Sequence, residues 1–117
     1  MTTTTSPSAG TAGSPLPTFT EFAREHVDEM MSLAQKAMAE KRSFGSELIM
    51  STPWGDLEIR DMNGLHADVF VVGCRSRGDR ACDRGCMITP GDPRKEHLRI
   101  LRLMARRARD FHAARAA

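Results

Sequence analysis

The chain has 117 residues and a formal net charge of +2, which suits one domain. No apolar stretch approaches the roughly 20 residues of a membrane span, so we expect no membrane partner. The N-terminal segment lacks a basic region followed by an apolar one, and the three cysteines are an odd number. We therefore expect a cytoplasmic protein without a disulfide framework.

Charge is distributed unevenly along the chain. Residues 1–66 carry five cations and nine anions, a net charge of −4, whereas residues 67–117 carry twelve cations and six anions, a net charge of +6. This asymmetry predicts two oppositely charged surfaces.

The N-terminal residues 1–17 are mostly Thr, Ser, Ala, Gly and Pro. They cannot bury enough apolar surface to offset their ordering entropy, so we predict a disordered tail and a single α+β domain over 18–117. Thr18 and Glu21 form a capping-box pattern, which predicts a helix from there to about Arg42. Its apolar residues recur at steps of 4 and 3 and predict one buried seam, formed by Ala23, Val27, Met30, Ala34 and Ala37.

Three segments in the middle of the chain predict strands, at 47–51, 57–62 and 66–74. The turn residues 52–56 and the Asn63-Gly64 dipeptide separate them, which is typical of antiparallel neighbours. The apolar run at the centre of the third segment is typical of a central strand covered on both faces. The segment 75–91 is polar and predicts irregular structure.

Asp92 and Pro93 predict the start of a second helix that runs to about Ala113, and its predicted apolar seam is formed by Leu98, Leu101, Met104, Ala105, Ala108 and Phe111. The predicted order is therefore α-β-β-β-α, with both helices packed on one face of a three-stranded antiparallel meander. Such a sheet exposes its other face and both edges, so we expect homodimer formation to be one way of covering them.

All three cysteines lie in or beside the polar loop, and they form the first candidate site. Cys82 and Cys86 have a spacing compatible with zinc, Cys74 closes on them, and a histidine (His97, or else His66) can supply a fourth ligand. No paired CxxC motif supports this zinc interpretation. A second interpretation is thiol redox chemistry, because the surrounding arginines would lower the thiol pKa values. A third is that Cys74 and Cys86 are small buried residues.

Cations on the second helix form the second candidate site, which we call the arginine stripe. They recur at steps of 4, 3, 4 and 3 and predict one charged face: Lys95, Arg99, Arg102, Arg106 and Arg109. Repulsion along this face indicates an anionic partner, such as the phosphate backbone of a nucleic acid. No reader motif supports nucleic-acid binding, and a solvated face is the simpler explanation.

The first helix carries a matching acidic stripe, Glu21, Glu25 and Asp28, beside the apolar residues Val27, Met30 and Met31. These six residues are the predicted protein interface. The two stripes can pair within one chain or across a dimer, and such pairing would fix register more than stability.

Catalytic motifs are not found: there is no phosphate-binding glycine loop, nucleophile elbow, HExxH or EF-hand pattern. The acid–base candidates are His66, Asp68, Asp56 and Glu58, which by themselves predict no catalytic site. We therefore expect a non-catalytic regulatory protein or accessory subunit that acts through protein–protein contacts. The alternatives are nucleic-acid binding by the arginine stripe, and zinc or thiol chemistry in the cysteine loop.

Overall fold

The computed structural model describes residues 15–42, 48–73 and 86–116. The described elements, in chain order, are α1 (Phe19–Ala39), β1 (Ile49–Met50), β2 (Leu57–Asp61), β3 (Ala67–Val71), β4 (Cys86–Ile88) and α2 (Arg94–Ala116). The strands form one antiparallel sheet in the order β1-β2-β3-β4, which gives the predicted α+β class. Most of the predicted disordered tail lies outside the described residues.

Helix α1 begins where the capping-box pattern predicts. The Glu21 amide donates to Thr18 Oγ1 at 3.0 Å, and the Thr18 amide donates to Glu21 Oε1 at 2.8 Å. The helix ends at Ala39, three residues earlier than predicted, and Lys41 then has a positive φ of 56°. All five residues of the predicted seam are fully buried.

The two long strands alternate between a buried and a partly exposed face. Register sets Leu57 opposite Val71 and Ile59 opposite Val69, and these four side chains are buried. Their neighbours along each strand point the other way, as the period of two requires. We call the buried side the inner face and the opposite side the outer face.

A fourth strand corrects the prediction that 75–91 is irregular throughout. Cys86–Ile88 pairs with β3, setting Ile88 opposite Ala67. Three residues are too few to show a strand period in the sequence, and this strand is stabilised by its non-local pairing with β3. The extra strand makes β3 an inner strand, which is the position that its apolar run predicts, although the described helices cover only one of its faces.

The β2–β3 hairpin has a longer loop than the Asn63-Gly64 dipeptide alone suggests. The last residue pair of the β2–β3 ladder is Asp61 with Ala67, and the five residues between them form the loop. The Gly64 amide donates to Asp61 Oδ1 at 2.8 Å, and the Leu65 amide donates to Asn63 Oδ1 at 2.9 Å. Side chains flanking the turn thus satisfy its backbone donors and let Gly64 adopt a φ of 82°.

Helix α2 begins directly after Pro93, whose carbonyl accepts from the Glu96 amide at 2.9 Å. The predicted seam is buried, except that Leu98 is half-buried; Ile100, which was not predicted, joins it. Helix α1 packs against β1, β2, β3 and α2, while α2 packs against β3 and β4. Both helices therefore cover the inner face, as predicted.

The turn between β1 and β2 is anchored to the first helix by aromatic contacts. The Trp54 ring lies 4.7 Å from the Phe19 ring and 5.5 Å from the Phe22 ring, centroid to centroid. Gly55 has a φ of 144°, and a Cβ there would come within 2.5 Å of the His112 ring of α2. The turn is thus held between the start of α1 and the end of α2.

The capping box gives a direct stability prediction. Thr18→Ala removes the hydroxyl that accepts from the Glu21 amide, so the free energy of unfolding should fall by about 1 kcal/mol. Thr20→Ala deletes the same groups from an exposed position two residues later and should leave stability unchanged or slightly raised, because alanine favours helix. Urea unfolding followed by circular dichroism measures both. Equal losses in the two variants would contradict the capping role.

Candidate functional site

The outer face of the sheet is the candidate functional site. Strand alternation and register place six side chains on it: Ile49, Glu58, Arg60, Asp68, Phe70 and Met87. Ile49, Glu58 and Phe70 form one row across the sheet, and Arg60, Asp68 and Met87 form the next. None of the described helices covers this face, whereas the inner face is buried under both.

A charged group occupies the centre of the outer face. The Arg60 Nη2 donates to Glu58 Oε1 at 2.9 Å, and the Arg60 guanidinium carbon lies 4.4 Å from the Phe70 ring centroid. Register also sets Arg60 directly opposite Asp68. These side chains are only partly exposed, so their mutual contacts hold a cation in a fixed place between two carboxylates.

Asp68 is the perturbed acid of this group. Burial raises the pKa of its carboxyl above the ordinary value of 3.8, and the charges of His66 and Arg60 act in the opposite direction. Its Oδ1 is buried and has no hydrogen-bond partner among the described residues. A buried acceptor without a hydrogen bond costs free energy, and burial also disfavours the ionised form of the carboxyl.

Large apolar side chains flank the charged centre. Ile49 on edge strand β1 is 42% exposed, and Met87 on edge strand β4 is 55% exposed. At the adjoining hairpin, Met62 is 50% exposed and Leu65 is 73% exposed. The outer face is thus a half-buried charged centre with apolar residues at its margins.

Two of the predicted acid–base candidates, Glu58 and Asp68, lie on this face. Asp68 feels the charge of His66, and Glu58 is ion-paired with Arg60, whereas Asp56 is an exposed residue before β2. A carboxyl with a raised pKa beside a histidine can exchange protons, but the other charged group opposite Asp68 is Arg60, which is ion-paired with Glu58.

The cysteine loop is only partly described. Cys74 and Cys82 lie outside the described residues, as do the four arginines near them. Cys86 begins β4 and is half-buried, with Arg107 Nη1 3.6 Å from its Sγ. His97 is buried, and its Nε2 lies 3.0 Å from the Thr89 carbonyl oxygen. Within the described residues, no group of three potential ligands could hold a metal.

Cys86 corrects one part of the redox prediction. Burial raises the pKa of its thiol, and this effect exceeds the opposing effects of Arg107 and Arg99. The thiol form is therefore favoured at Cys86, contrary to the expected thiolate. Its packing against the core agrees with the alternative of a small buried residue.

The arginine stripe lies on the solvent side of α2, but much of its charge is already paired. Arg99 donates to Glu96 at 2.9 Å from Nε, and Arg109 donates to Asp110 at 2.8 Å from Nη2. The guanidinium carbons of Arg106 and Arg109 lie 5.6 and 5.0 Å from the Phe19 ring centroid. Lys95 is exposed and Arg102 is half-buried.

The residues of the predicted protein interface on α1 lie partly in the core and partly at the surface. Val27 and Met30 are fully buried inside the chain and offer no surface to a partner, while Met31 is half-buried against the core. Glu21 belongs to the capping box, and Glu25 is exposed.

Within the described residues, an ion pair joins the two helices, between Asp28 and Arg94 at 2.6 Å. Its basic member comes from the start of α2 and not from the arginine stripe. Since Phe19 at the start of α1 meets Arg106 and Arg109 near the end of α2, the helices run antiparallel.

Sequence reasoning missed the outer face as a site. The alternation of 57–62 does separate Glu58 and Arg60 from the buried residues, so that part of the signal was present. The sequence does not place Met87 on this face because strand β4 is not predicted. It identifies Asp68 only as an acid–base candidate. The opposition of Arg60 and Asp68 depends on the register between strands, which sequence alone does not give.

No protein-family model, curated protein or solved structure matches this chain in the three comparisons. Within the described residues, neither helix has the length and apolar character needed to cross a bilayer. We therefore infer the function from the geometry of the outer face.

The raised pKa of Asp68 predicts a pH dependence of stability. A carboxyl whose pKa is raised on folding stabilises the folded state when protonated, and this contribution is lost as the pH rises through its folded pKa. Asp68→Asn should therefore be more stable than the wild type at pH 7, and the difference should shrink as the pH falls towards 3. Urea unfolding across this range measures it. A difference that stays constant with pH would contradict the raised pKa.

Proposed function

We propose that this chain is a non-catalytic protein-interaction domain that binds a protein partner through the outer face of its sheet. The observation that carries the proposal is the one-sided packing: both helices cover the inner face, and the outer face keeps apolar side chains at its margins. A regulatory protein or an accessory subunit would work through such a surface.

The composition of the outer face favours protein over solvent as its neighbour. Ile49 and Met87 are large apolar side chains exposed at the two edges of the sheet, and a partner that covers them removes apolar surface from water. The half-buried charges at the centre add specificity, because a partner must match their positions.

The size of the face limits the strength of binding. Four strands about 4.8 Å apart span about 14 Å, and the five residues of β2 or β3 span about 17 Å, so the face measures at most about 14 by 17 Å because β1 and β4 are shorter. This is well below the roughly 800 Å² per partner of a standard interface. Met62, which follows β2 in the outward alternation, extends the surface. We therefore expect reversible binding, which suits a regulatory role.

Nucleic-acid binding by the arginine stripe remains a prediction with weaker support. Arg99 and Arg109 already have carboxylate partners on α2. This pairing lowers the charge available to phosphates. Zinc binding and thiol chemistry also remain predictions, and Cys74 and Cys82 lie outside the described residues.

The proposal is tested by a charge placed on the outer face. Met87→Glu adds a carboxylate next to Asp68 in the register, so an interface here would lose affinity by at least about tenfold, or about 1.4 kcal/mol. Leu16→Glu is the matched control, because Leu16 is 62% exposed and lies before α1, outside the four strands. Tagged chains cross-linked in a lysate of the source cells, followed by mass spectrometry, report the captured proteins.

A captured partner should be retained by the wild type and by Leu16→Glu and lost with Met87→Glu. Circular dichroism checks that both variants fold, which is expected because neither side chain belongs to the core. If the same proteins are captured by all three chains, the outer face is not the binding surface.

A further inference from the structure

We infer that the partner on the outer face is a second copy of this chain, docked face to face about a two-fold axis that runs parallel to the strands between β2 and β3. This inference rests on the proposed function and identifies its partner. The observations that carry it are the register of the central strands and the charges that this register brings together.

The central strand pair is complementary to itself. Arg60 on β2 and Asp68 on β3 are cross-strand partners, so they lie on opposite sides of a line drawn between the two strands. Rotation by 180° about an axis that is parallel to that line and midway between the two facing sheets places β2 of each copy over β3 of the other and keeps each row in place. Arg60 of each copy then lies over Asp68 of the other, which gives two equivalent contacts between opposite charges.

The same rotation brings the two edge strands together. Strand β1 of one copy lies over β4 of the other, so Ile49 and Met87 meet across the interface in adjacent rows, about 7 Å apart along the strands. These are the exposed apolar residues at the two sheet edges. Their burial gives the hydrophobic margin around the charged centre.

A second copy also places opposite charges next to the charged residues at the centre of the outer face. Facing sheets pack about 10 Å apart, a gap that two facing arginine and aspartate side chains can span. The Arg60 side chain is 24% exposed and Asp68 is half-buried, so part of each side chain faces the second copy. Arg60 of one copy can therefore meet the opposite charge of Asp68 of the other. A partner of one charge sign would repel either Arg60 or the two carboxylates.

The two-fold arrangement predicts a specific pattern in charge-reversal variants. In Arg60→Asp the new carboxylate faces Asp68 of the other copy, and in Asp68→Arg the new guanidinium faces Arg60 of the other copy. Each variant alone therefore places like charges in both contacts. A mixed pair, one chain of each variant, restores two attractive contacts, although neither chain regains the Arg60–Asp68 opposition within itself.

The experiment measures oligomeric state by sedimentation velocity and native mass spectrometry on purified full-length chains. The wild type should form a concentration-dependent dimer that dissociates on dilution, as expected for an interface below the standard size. Each single variant should be monomeric at concentrations where the wild type is dimeric. An equal mixture should recover dimers whose mass shows one chain of each variant, and Leu16→Glu should dimerise like the wild type.

A monomeric wild type, or a mixture that stays monomeric, would overturn the inference. If the charge-reversal variants do not fold, Met87→Glu tests the inference in their place. The Met87→Glu dimer should be weakened at least tenfold, while the Leu16→Glu dimer should be as stable as that of the wild type. Equal dimerisation of the two variants overturns the inference. Failure here is distinct from failure of the proposed function. A monomeric chain that captures a different protein through Met87 overturns only the self-pairing.

Discussion

The structure depends on one-sided burial. The apolar seams of α1 and α2 both pack on the inner face, where Leu57, Ile59 and Val69 are fully buried. Because side chains in a strand alternate, burying these residues turns Glu58, Arg60 and Asp68 to the outer face. The same constraint therefore produces the core and the candidate site. A slip of one residue in register would exchange the two faces and put charges into the core.

Methionine makes up an unusually large part of the core, where Met30, Met50 and Met104 are all fully buried. Flexible methionine side chains fill irregular space but specify shape weakly, so the fold needs other features to set its geometry. The capping box fixes the start of α1, and the Trp54 turn ties that start to the sheet. The exposed Asp28–Arg94 pair contributes little stability and instead favours one alignment of the two helices.

Local patterns made most of the fold predictable. Thr18 and Glu21 gave the start of α1, and apolar periodicity gave the seams, because both signals lie within a few neighbouring residues. Strand β4 was not predictable, since its three residues are ordered by pairing with β3. The candidate site was less predictable than the fold, because Arg60 and Asp68 are eight positions apart and only the strand register makes them partners. The pKa of Cys86 was misjudged for a similar reason, because burial outweighs the charge of nearby arginines.

Methionine oxidation tests most directly whether the outer face is covered when the protein associates. Met87 is exposed on this face, Met31 is half-buried on α1, and Met30 is fully buried, so one chain carries the probe and both controls. Brief treatment with dilute peroxide, read by peptide mass spectrometry, gives the oxidation rate of each residue. We expect Met87 to oxidise quickly in dilute protein and several-fold more slowly in concentrated protein, with Met31 unchanged and Met30 protected throughout. A Met87 rate that is the same at both concentrations would show that association does not cover the outer face.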